Sequence, residues 1–184
     1  MTLDELHAAF EAAKQDARAL AEGVPDAAFN WRRAPGTWSM GECVDHLNVT
    51  GRKYLRAVDR ALEKGRREGI TGAGPFRYGV LEQLFVRLQE PPPRFRLKHP
   101  AAFTPSSSVS RGEALAAFLA LQDELQLRLA QSQGLDLRRL KTPSPVSKYL
   151  KFSLGAAFEA VAAHQRRHLW QARQVKADHA FPAG

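Results

Sequence analysis

The feature that most constrains this chain is an apolar rhythm of about 3.6 residues, which recurs in four long stretches separated by breaks bearing glycine and proline. The first stretch, Leu3 to Glu22, opens on Thr2 and Glu5, spaced as a reciprocal capping box, and is striped by Leu6, Phe10, Ala13, Ala17 and Leu20. Gly23 and Pro25 stop it. The second opens on Ser39 and Glu42, turns Met40, Cys43, Val44, Leu47, Tyr54, Leu55, Val58 and Leu62 to one face, and should close near Gly65 or Gly69. A third capping box, Ser110 and Glu113, opens a helix to Gln131 with Phe118, Leu121, Leu125 and Leu129 inward, closed by Gly134. The last stretch runs from Leu154 to Asp178. A shorter one, Tyr78 to Gln89, ends before Pro91-Pro92-Pro93, which cannot continue a helix. Irregular connections are expected from there to Val109 and over Leu135 to Ser147. The pattern predicts an all-α fold: an antiparallel four-helix bundle with one additional short helix and long connections that leave its topology open.

A chain of 184 residues with 44% hydrophobic content suits one domain, 1–184, with a buried core. The single cysteine, Cys43, forms no internal disulfide and points to a reducing compartment, the cytoplasm. Met1 to Leu20 is too charged for a signal peptide, and no apolar run approaches membrane-spanning length. The net charge of +8 raises the question of nucleic acid, but the basic residues fall in short scattered groups, Arg60 to Arg67, Arg94 to Lys98, Arg138 to Lys141 and Arg166-Arg167. None is interleaved with aromatics, so neither specific nucleic-acid binding nor membrane binding is expected.

The last helix carries the sharpest chemical signal. Leu154, Ala157, Val161, His164, His168, Ala172 and Val175 fall on one side, while Glu159, Arg166, Trp170, Arg173 and Gln174 fall on the other, so two histidines one turn apart interrupt the inward stripe. Imidazoles at i and i+4 can chelate one ion. Taken alone, the same spacing fits two core histidines hydrogen-bonded to polar neighbours. A third ligand decides between these readings, and His46, one turn after Glu42 on the flank of the second helix, is the candidate. His7, His99 and His179, on an early turn, a loop and a terminus, are weaker ones.

The run Trp38-Ser39-Met40-Gly41-Glu42-Cys43-Val44-Asp45-His46-Leu47 resembles the Trp-Ser-x-x-Glu-x-x-x-His-Leu signature of DinB-like proteins. The stretch His164-Gln165-Arg166-Arg167-His168-Leu169-Trp170-Gln171 resembles that family's closing helix. The resemblance implies a bundle in which His46, His164 and His168 hold a divalent ion, nickel or zinc first, with iron, cobalt or manganese also compatible. It implies a metal-dependent hydrolase, or a transferase acting on a low-molecular-weight thiol, with a small-molecule substrate and a homodimeric assembly. The alternative is a non-catalytic, stress-linked protein that binds a metal or small ligand, with outward Trp170 at a subunit contact. Gln165 and Gln171 are expected to orient the imidazoles ahead of Glu42, Asp45 and Glu159, with Asp45 the only adjacent carboxylate to offer as a base. Cys43 is expected in the core, and 76–103 is where substrate-facing variation is expected.

Overall fold

The computed structural model describes residues 1–93, 101–143 and 150–182. Four long helices form the bundle: α1 (Leu3–Ala21), α3 (Met40–Arg67), α5 (Arg111–Gln131) and α6 (Leu154–Lys176). The Thr2–Glu5 and Ser39–Glu42 boxes are both closed reciprocally, and α1 and α3 start where these caps place them. At the third box Ser110 Oγ accepts from the Glu113 N–H at 3.4 Å. Gly23 (φ 68°) and Gly134 (φ 79°) adopt the left-handed backbone that releases the chain from α1 and α5. Gly65 instead stays helical beneath Leu140, and the turn after α3 falls at Gly69.

Cross-links between helices fix their directions. Lys14 bonds Asp123 and the Arg111 guanidinium donates to the Ala21 carbonyl, so α1 and α5 run antiparallel. Phe10 meets Phe158 and Asp16 pairs with Arg173, so α1 and α6 run parallel. Asn48 donates to the Ala114 carbonyl and Arg128 reaches Asp59, so α3 and α5 are also parallel. Residues 68–110 make the crossover that this requires. The α3–α6 pair, which matters most for the site, is antiparallel: Val58 and Leu62 share a cluster with Leu154 and Phe158, Met40 and Leu47 share one with Leu169 and Val175, and His46 meets His164 midway along α6.

The crossover carries α4 (Val80–Gln89) and a 3-10 turn, Ala101–Phe103. Three features depart from the expected connections. A four-residue helix, α2 (Asp26–Phe29), begins directly after Pro25, and that 3-10 turn interrupts the stretch leading to Val109. Within the segment expected to be loop, β1 (Lys141–Pro143) pairs antiparallel with β2 (Lys151–Ser153), setting Thr142 opposite Phe152. Both of those side chains are buried, and strands of three residues are too short to show an alternating pattern. Residues 144–149 lie outside the described residues.

The apolar interior divides into two clusters. One gathers Leu6, Phe10, Val58, Leu62, Leu125 and Phe158; the other gathers Phe29, Met40, Leu47, Phe118 and Leu169. On α6 the changeover falls between Ala162 and Leu169, the stretch that holds His164 and His168. The parallel α3 and α5 approach closely at Gly51, where a Cβ would lie 2.3 Å from Leu121 Cδ2. Gly51→Ala is therefore expected to force the helices apart and to destabilise the fold by about 1–3 kcal/mol, read as a lower urea midpoint at unchanged slope. An unchanged midpoint would show that Leu121 moves aside without cost. No helix among the described residues is long and apolar enough to cross a membrane.

Candidate metal centre

The facing surfaces of α3 and α6 bring His46, His164 and His168 together, one ring nitrogen of each lying within 4.8 Å of the others. The ring centroids are 4.6 Å apart for His46 and His168, 4.5 Å for His164 and His168, and 5.2 Å for His46 and His164. His46 and His168 are buried, and His164 reaches solvent at one edge. Trp38, in the turn that leads into α3, closes one side, with its ring 4.8 Å from His46 and 5.5 Å from His168. Among the described residues these three histidines form the one such group that could hold a metal ion.

The hydrogen bonds around the rings determine where their lone pairs point. His46 Nδ1 lies 2.7 Å from the Phe103 carbonyl oxygen, which can only accept, so this nitrogen carries the proton. His164 Nδ1 likewise lies 3.2 Å from Gln89 Oε1. Both Nε2 atoms are then unprotonated, yet they face each other 3.1 Å apart. Two lone pairs at that distance repel unless a cation or a proton sits between them. Nitrogens bound to one zinc-like ion at about 2.1 Å are about 3.0–3.4 Å apart for octahedral to tetrahedral angles, so the observed separation suits an ion. His168 Nδ1 is also buried and makes no hydrogen bond within the described structure. The donor set is of the kind that could hold a metal ion, with His168 drawn slightly closer to the other two rings than it lies here.

Electrostatics support neutral ligands. Burial pushes His164 down from 6.5 to about 3, with the charges of His46 and Arg167 adding to the effect. His168 is held well below its ordinary value by burial first, then by His164, His46 and Arg167, with Gln171 acting weakly in the opposite sense. At neutral pH both rings are free of the extra proton that would compete with an ion.

Several expectations about the surrounding groups change. Gln171 does act on His168, but Gln165, buried beside His164, has an Oε1 without a described hydrogen bond. The orienting groups for the other two rings are Gln89, from the end of α4, and the Phe103 carbonyl, both from the segment expected to vary with substrate. Glu42 is held by its cap and by two 2.7 Å bonds from Arg32. Asp45 accepts from the Ser106 N–H at 2.8 Å and so anchors the loop instead of facing the rings as a base. Glu159, expected outward, has a side chain only 12% exposed. Cys43 is fully buried, and burial raises its thiol pKa, as suits a small core residue. His7 and His179 are exposed and take no part, and His99 lies outside the described residues.

Fold and site together define a helical bundle with a buried three-imidazole cluster between its second and last long helices. The family model described as DinB superfamily matches residues 9–172, and the chain belongs to that superfamily. Neither the curated proteins nor the solved structures contain a match to it.

Proposed function

We propose that this chain is a divalent-metal-dependent enzyme acting on a small molecule, with His46, His164 and His168 as the ligands. The observation that carries this reading is the pair of Nε2 atoms facing each other at 3.1 Å, with the Phe103 carbonyl and Gln89 on the opposite nitrogens of the two rings, an arrangement that a cation stabilises. Three neutral imidazoles leave an ion with its full charge and with positions for other ligands, a pattern of catalytic more than structural sites. Imidazoles accept nickel, zinc, iron, cobalt and manganese, and nickel and zinc lead that order here.

Bound there, an ion would supply Lewis acidity and ease the loss of a proton from water or a thiol. The chain's own residues bear on which of the two is favoured. Glu42 is tied to Arg32 and Asp45 to the Ser106 backbone, so neither carboxylate is turned to receive a proton at the cluster. Hydrolysis would want such a base, whereas a thiol gives up its proton far more readily. Transfer to or from a low-molecular-weight thiol is therefore the better-supported chemistry. Trp38 shields one side from water, and Gln89 and Phe103, which touch the rings of His164 and His46, would border the approach of a substrate.

The test is elemental analysis of tag-free protein, before and after incubation with nickel, zinc and manganese, followed by assays with thiol and hydrolase substrates. We expect close to one ion per chain and thiol-dependent turnover in the loaded protein. A folded protein that stays metal-free after every incubation would end this reading.

A further inference from the structure

We propose that the outward face of α3 binds the phosphate backbone of a nucleic acid without reading its sequence. One side of α3 is buried through Tyr54, Val58, Ala61 and Leu62. The opposite side stands in water and repeats one charge: Arg52, Arg56 and Arg60 follow one another at four-residue intervals, with Lys53, Lys64 and Arg67 beside them, and all six are exposed. At 1.5 Å per residue the three arginines stand about 6 Å apart along the helix, one per turn. Charges that look scattered along the chain are thus gathered into a row by the helix.

A helix face that merely meets solvent gains from opposite charges four residues apart, and like charges at that spacing weaken the helix. Here the like-charged spacing occurs twice in succession. The nearby acids do not neutralise it. Asp59 accepts from Arg128 at 2.7 and 3.1 Å, and Glu68 lies at the end of the helix against Lys64 and Arg67. Glu63 is the one carboxylate on the face itself, and among the described residues Arg52, Arg56 and Arg60 form no ion pair with it or with any other acid. Lys53 is already engaged, donating to the Ala102 carbonyl with its ammonium 4.1 Å from the centre of the Phe103 ring. The three arginines are therefore the heart of the face.

The chemistry of the row selects its occupant. A guanidinium offers a planar fork of donors that matches two phosphate oxygens, and a straight row of such forks suits a chain of phosphates. Anionic bilayers are held in part by apolar side chains sunk among the headgroups, and none of the exposed large apolar residues among the described ones lies on α3. Nor does the face carry an aromatic side chain on which a base could stack, so contact is with the backbone alone. The proposal goes beyond the metal reading and does not rest on it.

Fluorescence anisotropy tests it on the full chain, with labelled random-sequence DNA of about 20 nucleotides, single-stranded and duplex, from about 0.05 to 0.3 M salt. A dissociation constant of about 1–100 μM is expected at about 0.1 M salt, rising with salt at a logarithmic slope of about 3 or steeper. The two arms tell which form of backbone the face prefers. Replacing Arg52, Arg56 and Arg60 together with alanine should weaken binding at least about tenfold and take about 3 from the slope. Circular dichroism should be unchanged, since alanine favours the helix. Removing the same charge from three other exposed places, by Arg18→Ala, Arg87→Ala and Arg138→Ala, should change the constant less than about threefold at about 0.1 M salt. A wild type that binds neither strand at the lowest salt, or equal losses in the two triple variants, would overturn the proposal. So would binding to phosphatidylglycerol vesicles with none to nucleic acid, which would assign the face to a membrane surface.

Discussion

Replacing His46, His164 or His168 with alanine, one at a time, is expected to weaken zinc or nickel binding by about two to three orders of magnitude while the helical spectrum is kept. Binding energies of about 10–16 kcal/mol at sites of four ligands give about 2.5–4 kcal/mol per ligand, which is that range. The fold should survive because the rings lie where the two apolar clusters meet and not within either. Gln89→Ala provides a graded comparison: it keeps all three ligands and frees only the orientation of His164, for which a loss of about 10–100-fold is expected. Competition with a coloured chelator reads both effects. Equal affinities in wild type and all three alanine variants would remove the cluster from the function altogether.

Acid should destabilise the ion-free fold earlier than carboxylate titration does. In the unfolded chain each imidazole takes up a proton near pH 6.5, whereas in the folded protein His164 resists until about pH 3 and His168 is likewise held low. Between those limits the unfolded state binds more protons, so stability falls as pH falls through that window and levels off below it. At pH 5 the loss is up to about 2 kcal/mol for each imidazole, and less for His164, whose edge reaches water. Urea titrations at pH 7, 6 and 5 measure it, with the His164→Ala, His168→Ala double variant as control. That variant should flatten the slope whatever its stability at pH 7. An equal slope in both proteins would mean that other groups carry the acid sensitivity.

Much of this architecture was readable in advance because caps and stripes are local. Thr2 with Glu5 and Ser39 with Glu42 place two helix starts, and the apolar stripe of α6 brings His164 and His168 to the inner side without any tertiary information. The parallel pairing of α3 with α5 was not readable, because no local residue encodes which neighbour a long crossover selects. Nor were the groups that orient the rings. A main-chain carbonyl such as that of Phe103 leaves no signature in side-chain sequence, and Gln89 reads as an ordinary polar residue at the end of a short helix. The outward assignment of Glu159 failed for a reason visible in hindsight. Ala156, Ala157, Ala160, Ala162 and Ala163 surround it, and a helix with so few polar residues in its first half is buried nearly all round. Here the N-terminal ammonium of Met1 pairs with Glu159, and Tyr78 lies against Gly155.

Trp38 has a consequence beyond packing. Its indole lies 4.8 Å from His46 and 5.5 Å from His168, so the candidate site carries its own chromophore. The emission of a ring at that distance answers to what the imidazoles hold. Nickel or cobalt, with open-shell electrons, would extinguish it, while zinc would only shift its colour. With Trp31 and Trp170 changed to phenylalanine, a single lamp would remain, and the filling of the site could be followed by eye of a fluorimeter, in real time and without any added dye.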